Sequence, residues 1–298
     1  MRSLLLCALV AAAPSAHAAP DASHAPTPDA PDARPLLRVC TGRPGNNYHR
    51  VGLALAERLA PKVRVEVVET EGSWENLEAI DAEHRRCDAI IAQDDAYALY
   101  EFEHPESRLT MERTAVLYAE YVHVLCNTKV TARSVSELDP GRHQILVNRY
   151  GSGTYITWKL FQRLDPAYQR VRSAEVDMDE GLLKIADGTR AHCMIYVSGK
   201  GGKTLRTADE RFGDRLRLIG VEDGHLHREV GRDKRVVYRR ARLEADTYPH
   251  LQTGPIDTQQ VDAVFFASPE WKARRPAAAA ALAEALVQLI PDLQKTLQ

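Results

Sequence analysis

The first third of the chain repeats one plan, in which a short apolar run leads through a turn of small polar residues into a segment of helical spacing. The apolar runs are Leu36–Cys40, Val63–Val68 and Ala89–Ala92. Short apolar runs bounded by turns are typical of buried strands, and apolar residues three and four apart indicate amphipathic helices. Successive strand–turn–helix units predict a parallel sheet with helical crossovers, which is an α/β fold.

A second set of such units follows a strand predicted at Tyr121–Leu125. It opens with Ile145–Val147 and ends with Val261–Phe266 and a final stripe of leucines. Between these two strands, further strands are predicted at Val171–Val176, Met194–Val197 and Leu216–Val221. The final stripe consists of Leu282, Leu286 and Leu289. The plan of the first set therefore recurs in the second half of the chain.

The two sets predict two lobes, each a mainly parallel sheet flanked by helices. Lobe I is expected to hold residues 36–126 and about 222–298, and lobe II residues from about 127 to 221. The strands near Tyr121–Cys126 and Val261–Phe266 are the candidates for a hinge between the lobes.

Charge and hydropathy argue against several classes of protein. The chain has 298 residues, with 39 Lys+Arg against 41 Asp+Glu and a net charge of −2. A nucleic-acid-binding protein usually concentrates basic residues, so this balance argues against a nucleic-acid partner. No apolar run approaches the roughly 20 residues that span a bilayer, which argues against an integral membrane protein.

The amino terminus has the pattern of a cleavable export signal. Arg2 precedes the apolar segment Leu4–Ala13, and Ala16-His17-Ala18 fits the small-residue cleavage rule. Residues 1–18 are therefore predicted to be a signal peptide, which implies a periplasmic or secreted protein. Residues 19–35 are rich in Pro and Ala and are expected to be a disordered tether.

Four cysteines remain after this cleavage, and they allow three complete pairings. They are Cys40, Cys87, Cys126 and Cys193. None forms a C-x-x-C motif, so a zinc or thioredoxin-type site is not supported. Each lies in or beside an apolar run, where a free thiol packs as a small hydrophobe, while an oxidising compartment permits disulfides. The sequence leaves both states open.

Three turns share the properties of an anion site. Each follows a strand, contains Gly, Ser, Thr or Asn, and opens a helix, whose first amides are unpaired and carry partial positive charge. In chain order, the first is Thr41-Gly42 to Asn47-Tyr48, the second is Gly72-Ser73 with Asn76, and the third is Gly151-Ser152-Gly153-Thr154. Ordinary helix capping is the alternative for any single turn. Tyr48, Trp74, Tyr97 and Tyr155 fall near these turns and suit either a ligand wall or core packing.

Motifs for catalysis or metal binding are weak. Ser152 lacks the G-x-S-x-G context of a hydrolase nucleophile. His225 and His227 lie near two acidic residues, but an exposed histidine pair is the favoured interpretation. We therefore predict that the protein is not an enzyme and has no metal site and no cofactor.

Five segments occur in the order seen in TAXI-type solute-binding proteins, which serve TRAP (tripartite ATP-independent periplasmic) transporters. The resemblance covers roughly Leu36 to Val221 and continues weakly to Phe266. The segments are Thr41-Gly42 to Asn47-Tyr48, Thr70–Ser73 with Asn76-Leu77, Asp88–Asp95, Leu117–Val124 and Gly151–Thr154.

This resemblance implies a two-lobed periplasmic-binding-protein-like fold of the second topological type. A small organic anion or amino acid, such as glutamate or a related dicarboxylate, would bind between the lobes, and the loaded protein would dock on the TRAP membrane permease. The cleft motifs of the family fall on Asn47, Tyr48, Ser73, Asn76, Gln93 and Gly151–Thr154.

Two basic residues are candidates for a fixed charge on a ligand carboxylate. Arg149 precedes the third turn, and Lys200 lies in Ser198–Gly202, where the family usually has a Gly-x-Pro turn. Solvated loop charges are the alternative for both. There are two alternative functions. One is a periplasmic sensor with the same fold and site, and the other is a secreted hydrolase that uses Ser152.

Overall fold

The computed structural model describes residues 32–189 and 192–297. The predicted signal peptide and most of the predicted tether lie outside these residues. The strands are β1 (Leu36–Cys40), β2 (Arg64–Val68), β3 (Ala89–Gln93), β4 (Glu112–Asn127), β5 (Gln144–Val147), β6 (Arg172–Glu175), β7 (Cys193–Ser198), β8 (Leu216–Ile219), β9 (Glu229–Val230), β10 (Arg235–Val236), β11 (Tyr238–Leu243) and β12 (Ile256–Ala267). The helices are α1 (Asn47–Leu59), α2 (Ser73–Asp81), α3 (Asp94–Glu103), α4 (Gly153–Leu164), α5 (Pro166–Arg170), α6 (Met178–Asp187), α7 (Lys203–Phe212), α8 (Pro269–Arg274) and α9 (Pro276–Leu297).

The main sheet contains two groups of parallel strands. The first group has the order β2-β1-β3 and the second has the order β7-β5-β6. Two long antiparallel strands, β12 and β4, join the groups, with β12 beside β3 and β4 beside β7. β11 extends from β12 and β8 from β4, while β9 and β10 form a separate two-stranded sheet. The predicted alternation of strands and helices is confirmed.

Helices cover both faces of each group of strands. α1 and α9 pack on one face of the first group, and α2 and α3 pack on the other. In the second group α4 and α5 cover one face, and α6 and α7 cover the other. Because strands buried on both faces need apolar residues throughout, β3 is fully buried and contains only one polar residue, Gln93.

The first helix shows how closely the layers approach. Val51, Leu55 and Leu59 form its buried face, as their spacing predicts. A Cβ at Gly52 would lie 2.8 Å from Thr41 Cγ2 and 3.0 Å from a Val67 methyl carbon. Glycine is therefore required where α1 crosses the ends of β1 and β2.

The predicted lobe boundaries stay a prediction, because residues 34–298 form one unit. Both hinge candidates lie within longer strands that reach both groups. β4 pairs with β12 up to Tyr121 and with β7 and β8 from Tyr121 onward. Residues 228–260, which carry no clear sequence pattern, contain β9, β10 and β11.

The last helix corrects the expectation about apolar runs. α9 has 22 residues and a mean hydropathy of 1.3, so it is long and apolar enough to cross a membrane. One face, which includes Leu282, Leu286 and Leu289, is buried in the cluster that also holds α1. The predicted leucine stripe therefore forms part of the core in this structure.

The four cysteines within the described residues are paired. Disulfides join Cys40 to Cys87 and Cys126 to Cys193. The second pair lies directly opposite in the register of β4 and β7. Both disulfides therefore connect neighbouring parts of the main sheet.

Candidate ligand-binding cleft

A cleft of about 870 Å³ lies at the carboxyl ends of strands from both groups. The first turns of five helices contribute to its lining. They are α1 (Asn47), α2 (Ser73), α4 (Gly153 and Thr154), α6 (Met178) and α7 (Lys203). Amides in a first helical turn have no intrahelical acceptor, and the helix dipole is positive there. Since the five starts line the same cleft, they create one region suited to an anion.

Nine of the twelve predicted site residues line this cleft, and three do not. Those that line it are Asn47, Tyr48, Ser73, Gln93, Arg149, Ser152, Gly153, Thr154 and Lys200. The three that lie outside the lining are Trp74, Asn76 and Gly151. The three predicted turns therefore meet, although not every residue of their motifs reaches the cleft.

Asn76 lies outside the cleft lining and holds together the segments that form the cleft wall. Its Nδ2 donates hydrogen bonds to the carbonyl oxygens of Thr41 at 2.6 Å and Ile91 at 2.8 Å. Its Oδ1 accepts one from Thr70 Oγ1 at 2.6 Å. Asn76 is buried, so its amide is fully used in joining the first two turns to β3.

Trp74 and Gly151 pack against each other beside the third turn. Gly151 has a φ of 77°, and a Cβ there would lie 3.3 Å from Trp74 Cβ. The indole also contacts Tyr100 and Tyr150, with ring centroids 5.2 Å and 6.0 Å away. Trp74 and Gly151 therefore fix the position of the turn rather than line the cleft.

A glycine, not the serine, caps the helix that follows the second turn. Gly72, with a φ of 131°, occupies the N-cap position of α2, and Ser73 is the first helical residue. Ser73 Oγ instead accepts a hydrogen bond from the amide of Gln93 at 3.1 Å. The serine thus joins α2 to the end of β3.

Ser152 and Thr154 have structural hydrogen bonds. Ser152 Oγ caps α4 by accepting from the Tyr155 amide at 3.2 Å, and Thr154 Oγ1 accepts from the Val197 amide at 3.1 Å. Among the described residues, no histidine lines the cleft. A serine nucleophile needs an adjacent general base, so this geometry disfavours the hydrolase alternative.

The floor of the cleft contains a carboxylate that the sequence predictions missed. Glu120 Oε2 accepts hydrogen bonds from Gln93 Nε2 at 2.9 Å and from Tyr48 Oη at 3.4 Å. Burial raises the pKa of Glu120 to about 7. Tyr118 and Glu120 both line the cleft, and their spacing in β4 could have predicted this, because residues two apart in a strand share a face.

Several cations line the cleft without an acidic partner in the described part of the chain. Lys200 Nζ lies 4.6 Å from the centre of the Tyr121 ring. Among the described side chains, no carboxylate oxygen lies within 4 Å of the cationic groups of four lining residues. They are Arg50, Lys200, Lys203 and Arg206. Lys203 and Arg206, which belong to α7, were not among the predicted site residues.

The other two cations of the cleft have acidic neighbours. Arg43 Nε donates to Glu71 Oε2 at 2.6 Å, and Arg149 Nη2 lies 4.0 Å from Asp177 Oδ2. The Arg149 side chain is 71% exposed. Of the two basic residues predicted to contact a ligand, Lys200 is therefore the one whose charge is not balanced by a nearby carboxylate of the described residues.

Replacing Gly153 with alanine is expected to weaken ligand binding about tenfold. A Cβ at this position would lie 2.3 Å from Gln93 Oε1, so the buried amide has to move and its bond to Glu120 breaks. The added methyl group and the displaced amide would take up space at the wall of the cleft, and a loss of about 1.4 kcal/mol of binding free energy is tenfold in affinity. Isothermal titration would measure the change.

The matched control is Gly42→Ala. Gly42 also lines the cleft, but a Cβ there would lie 3.6 Å from Tyr48 Cβ, which is an ordinary contact. Equal affinities for the two variants would show that the Gln93–Glu120 contact does not support binding.

Asp165, Asp223 and His225 form an acidic cluster away from the cleft lining. His225 Nδ1 lies 2.7 Å from Asp165 Oδ2. Asp165 and Asp223 also accept hydrogen bonds from the amides of Ala167 and His225. These contacts account for the cluster as local capping, and the prediction of no metal site stays a prediction.

The architecture is that of a periplasmic binding protein. The chain is similar to the periplasmic sulfonate-binding protein SsuA from Methylobacillus flagellatus KT, with a TM-score of 0.53 and 14% identity over 86% of this chain and 68% of that one. It is also similar to the aliphatic sulphonate binding protein SsuA from Escherichia coli (TM-score 0.49, 13% identity, 89% of this chain and 86% of that one).

The periplasmic VFT2 domain of BvgS from Bordetella pertussis is a further similar structure. Its TM-score is 0.47 and its identity 12%, over 87% of this chain and 92% of that one. In sequence, the chain belongs to the NMT1-like family, whose model matches residues 39–274. Comparison with curated protein sequences gives no match.

Proposed function

We propose that this protein is the periplasmic solute-binding subunit of a TAXI-type TRAP transporter. It captures a small carboxylate or amino acid and delivers it to a membrane permease. The observation that carries the proposal is the meeting of five helix starts and four uncompensated cations at one cleft. Such a cleft offers backbone donors and positive charge to an anionic ligand.

The volume of the cleft suits a small metabolite. Ligand pockets commonly measure about 300–1,000 Å³, and this cleft measures about 870 Å³. Capture is expected to involve closure, since contacts that form only in the closed state pull the two sides together. A full shift from mostly open to mostly closed needs about 5.5 kcal/mol of differential affinity.

Two features support an extracytoplasmic location. The first is the predicted signal peptide at residues 1–18. The second is the pair of disulfides, which persist mainly in oxidising compartments such as the bacterial periplasm. Both features fit a protein that meets its ligand outside the cytoplasm.

A ligand panel tests the proposal. Thermal shift with amino acids, dicarboxylates, keto acids and sulfonates, followed by isothermal titration of any hit, should give at least one ligand that stabilises the protein. Sulfonates belong in the panel because the similar SsuA proteins are described as sulfonate-binding proteins. If no anionic metabolite binds, the proposed function is wrong.

Lys200→Ala is expected to weaken the affinity for an anionic ligand about tenfold, because a charge-assisted hydrogen bond contributes about 1.5–3 kcal/mol. Arg149→Ala should cost only about threefold, since Arg149 is exposed and lies near Asp177. Isothermal titration would measure both changes. An unchanged affinity in Arg149→Ala would remove Arg149 from the site.

Lys159→Ala provides the matched control. Lys159 also lies over a tyrosine ring, with its Nζ 5.3 Å from the centre of Tyr155, but it is outside the cleft lining. Equal losses in Lys159→Ala and Lys200→Ala would contradict a ligand contact by Lys200.

A further inference from the structure

Glu120 differs from the other acidic residues of the cleft. Glu71 pairs with Arg43, and Asp177 lies 4.0 Å from Arg149. Glu120, the remaining lining carboxylate in the described part of the chain, has no cationic group within 4 Å. Its side chain is also the most buried of the three, since the residue is 9% exposed.

The surroundings of Glu120 offer polar groups but no positive charge. Tyr48 of α1, Gln93 of β3, Asp95 of α3, Tyr118 of β4 and Tyr196 of β7 are the polar or titratable groups that face it. Both hydrogen bonds to the carboxylate go to Oε2. Oε1 receives none from residues 32–189 and 192–297, so the carboxylate has capacity for a further donor.

A second acceptor nearby also lacks a donor. Gln93 Oε1 is buried without a hydrogen-bond partner, while Gln93 Nε2 is used by Glu120. The floor of the cleft is therefore short of donors. The opposite condition holds at Lys200, Lys203 and Arg206, whose cationic groups have no carboxylate oxygen of the described residues within 4 Å.

We infer that Glu120 binds the ammonium group of a zwitterionic ligand and so selects amino acids over the corresponding simple acids. This inference rests on the proposed function, because it assigns the two ends of the ligand to two parts of the same cleft. The acidic end meets the helix starts and the cations of the Lys200 loop. The ammonium end supplies the donor that Oε1 lacks and the positive charge that its surroundings lack.

The direction of the pH dependence follows from this assignment. Burial raises the pKa of Glu120 to about 7, so the free protein near neutral pH is partly protonated there. An ammonium favours the carboxylate and releases that proton, so affinity for the zwitterion should rise from pH 6 to pH 8. A ligand without an ammonium should bind less tightly as pH rises, because its negative charge meets more carboxylate.

Matched pairs of probes provide the test. Isothermal titration would compare L-glutamate with glutarate, and taurine with ethanesulfonate, at pH 6 and pH 8. In the wild-type protein the amine member of a pair that binds should bind at least about tenfold more tightly than its partner. In Glu120→Gln this preference and the rise in affinity with pH should both be lost.

Glu112→Gln is the control variant, because Glu112 lies on the same strand as Glu120 but outside the cleft lining and already pairs with Lys272. It should leave the preference unchanged. A wild-type protein that binds both members of a pair equally, or a Glu120→Gln variant that keeps the preference, would overturn the inference alone. Failure of all four compounds to bind would overturn the inference, and the proposed function would fall only if the wider ligand panel also gives no ligand. If Glu120→Gln does not fold, the direction of the wild-type pH dependence decides.

Discussion

Replacing Cys126 and Cys193 together with alanine is expected to lower the free energy of unfolding by about 4 kcal/mol. The disulfide closes a loop over a sequence separation of 67 residues, so its removal returns that conformational entropy to the unfolded chain. Both cysteines are buried in the core and lie opposite each other in β4 and β7. Denaturant unfolding of the oxidised proteins would measure the loss.

The Cys40–Cys87 disulfide provides the comparison. Its sequence separation is 47 residues, so removing it should cost only about 0.3 kcal/mol less than removing the other. A reductant should destabilise the wild-type protein by the combined amount and leave a variant without all four cysteines unchanged. Losses below about 1 kcal/mol for both double variants would contradict the entropic account.

The disulfide pairing shows where sequence reasoning ends. Four cysteines in apolar runs allow three pairings, and only the order of strands selects one. Cys40 ends β1, and Cys87 precedes β3, which lies beside β1 although β2 comes between them in sequence. Neighbours in the sheet are set by tertiary packing, which a local pattern does not encode.

Periodicity predicted the short parallel strands well and the long antiparallel strands poorly. The predicted strand at Tyr121–Leu125 is the end of β4, which begins at Glu112. The missed part contains charged residues whose partners are remote in sequence. Arg113 Nη2, for example, donates to the buried Asp262 of β12 at 2.9 Å.

The sequence pattern did not predict β11, because its charged residues also have partners that are remote in sequence. Arg239 of β11 also donates to Asp262, at 2.9 Å through Nη1. A strand rich in arginine has no hydropathy signal, although Arg239 and Arg242 donate to Asp262 and Asp257 once β12 lies beside it. Charge pairing between strands is thus a tertiary property.

The sequence predicted the parts of the cleft that consist of helix-opening turns better than the parts that consist of side chains from strands and helices. Turns rich in Gly, Ser and Asn after strands identified the first turns of α1, α2 and α4, which meet at the cleft. Glu120 and Arg206 lie in a strand and a helix without such a signal. Which face of these elements borders the cleft depends on the packing of the sheet.

Asp95→Ala at pH 5 is expected to cost about 3 kcal/mol of unfolding free energy. Asp95 is fully buried in α3, and its Oδ2 accepts hydrogen bonds from Thr157 Oγ1 at 2.6 Å and Tyr238 Oη at 2.8 Å. Removing the carboxyl group leaves two buried hydroxyls without an acceptor. It also breaks the polar contact by which α3 holds α4 and β11. Denaturant unfolding would measure the cost, and a loss below about 1 kcal/mol would contradict it.

Asp95→Asn separates the hydrogen bonds from the charge. Burial raises the pKa of Asp95 to about 6, above its usual value near 4, so the folded protein binds the proton more tightly than the unfolded chain does. The contribution of protonated Asp95 to the stability of the folded protein is complete below about pH 4 and is lost as pH rises through about 6. The stability of the wild-type protein relative to Asp95→Asn should therefore fall by about 3 kcal/mol from pH 4 to pH 8.

Thr157→Val tests the cause of this dependence. The Thr157 hydroxyl lowers the pKa of Asp95 by donating to the charged form, so the valine variant should raise that pKa further. The loss of stability with rising pH should then be larger than in the wild-type protein and extend to higher pH. Because Glu120 also has a raised pKa, each comparison should be made against the Asp95→Asn protein at the same pH. An identical pH profile in the wild-type and Asp95→Asn proteins would show that Asp95 is not the titrating group.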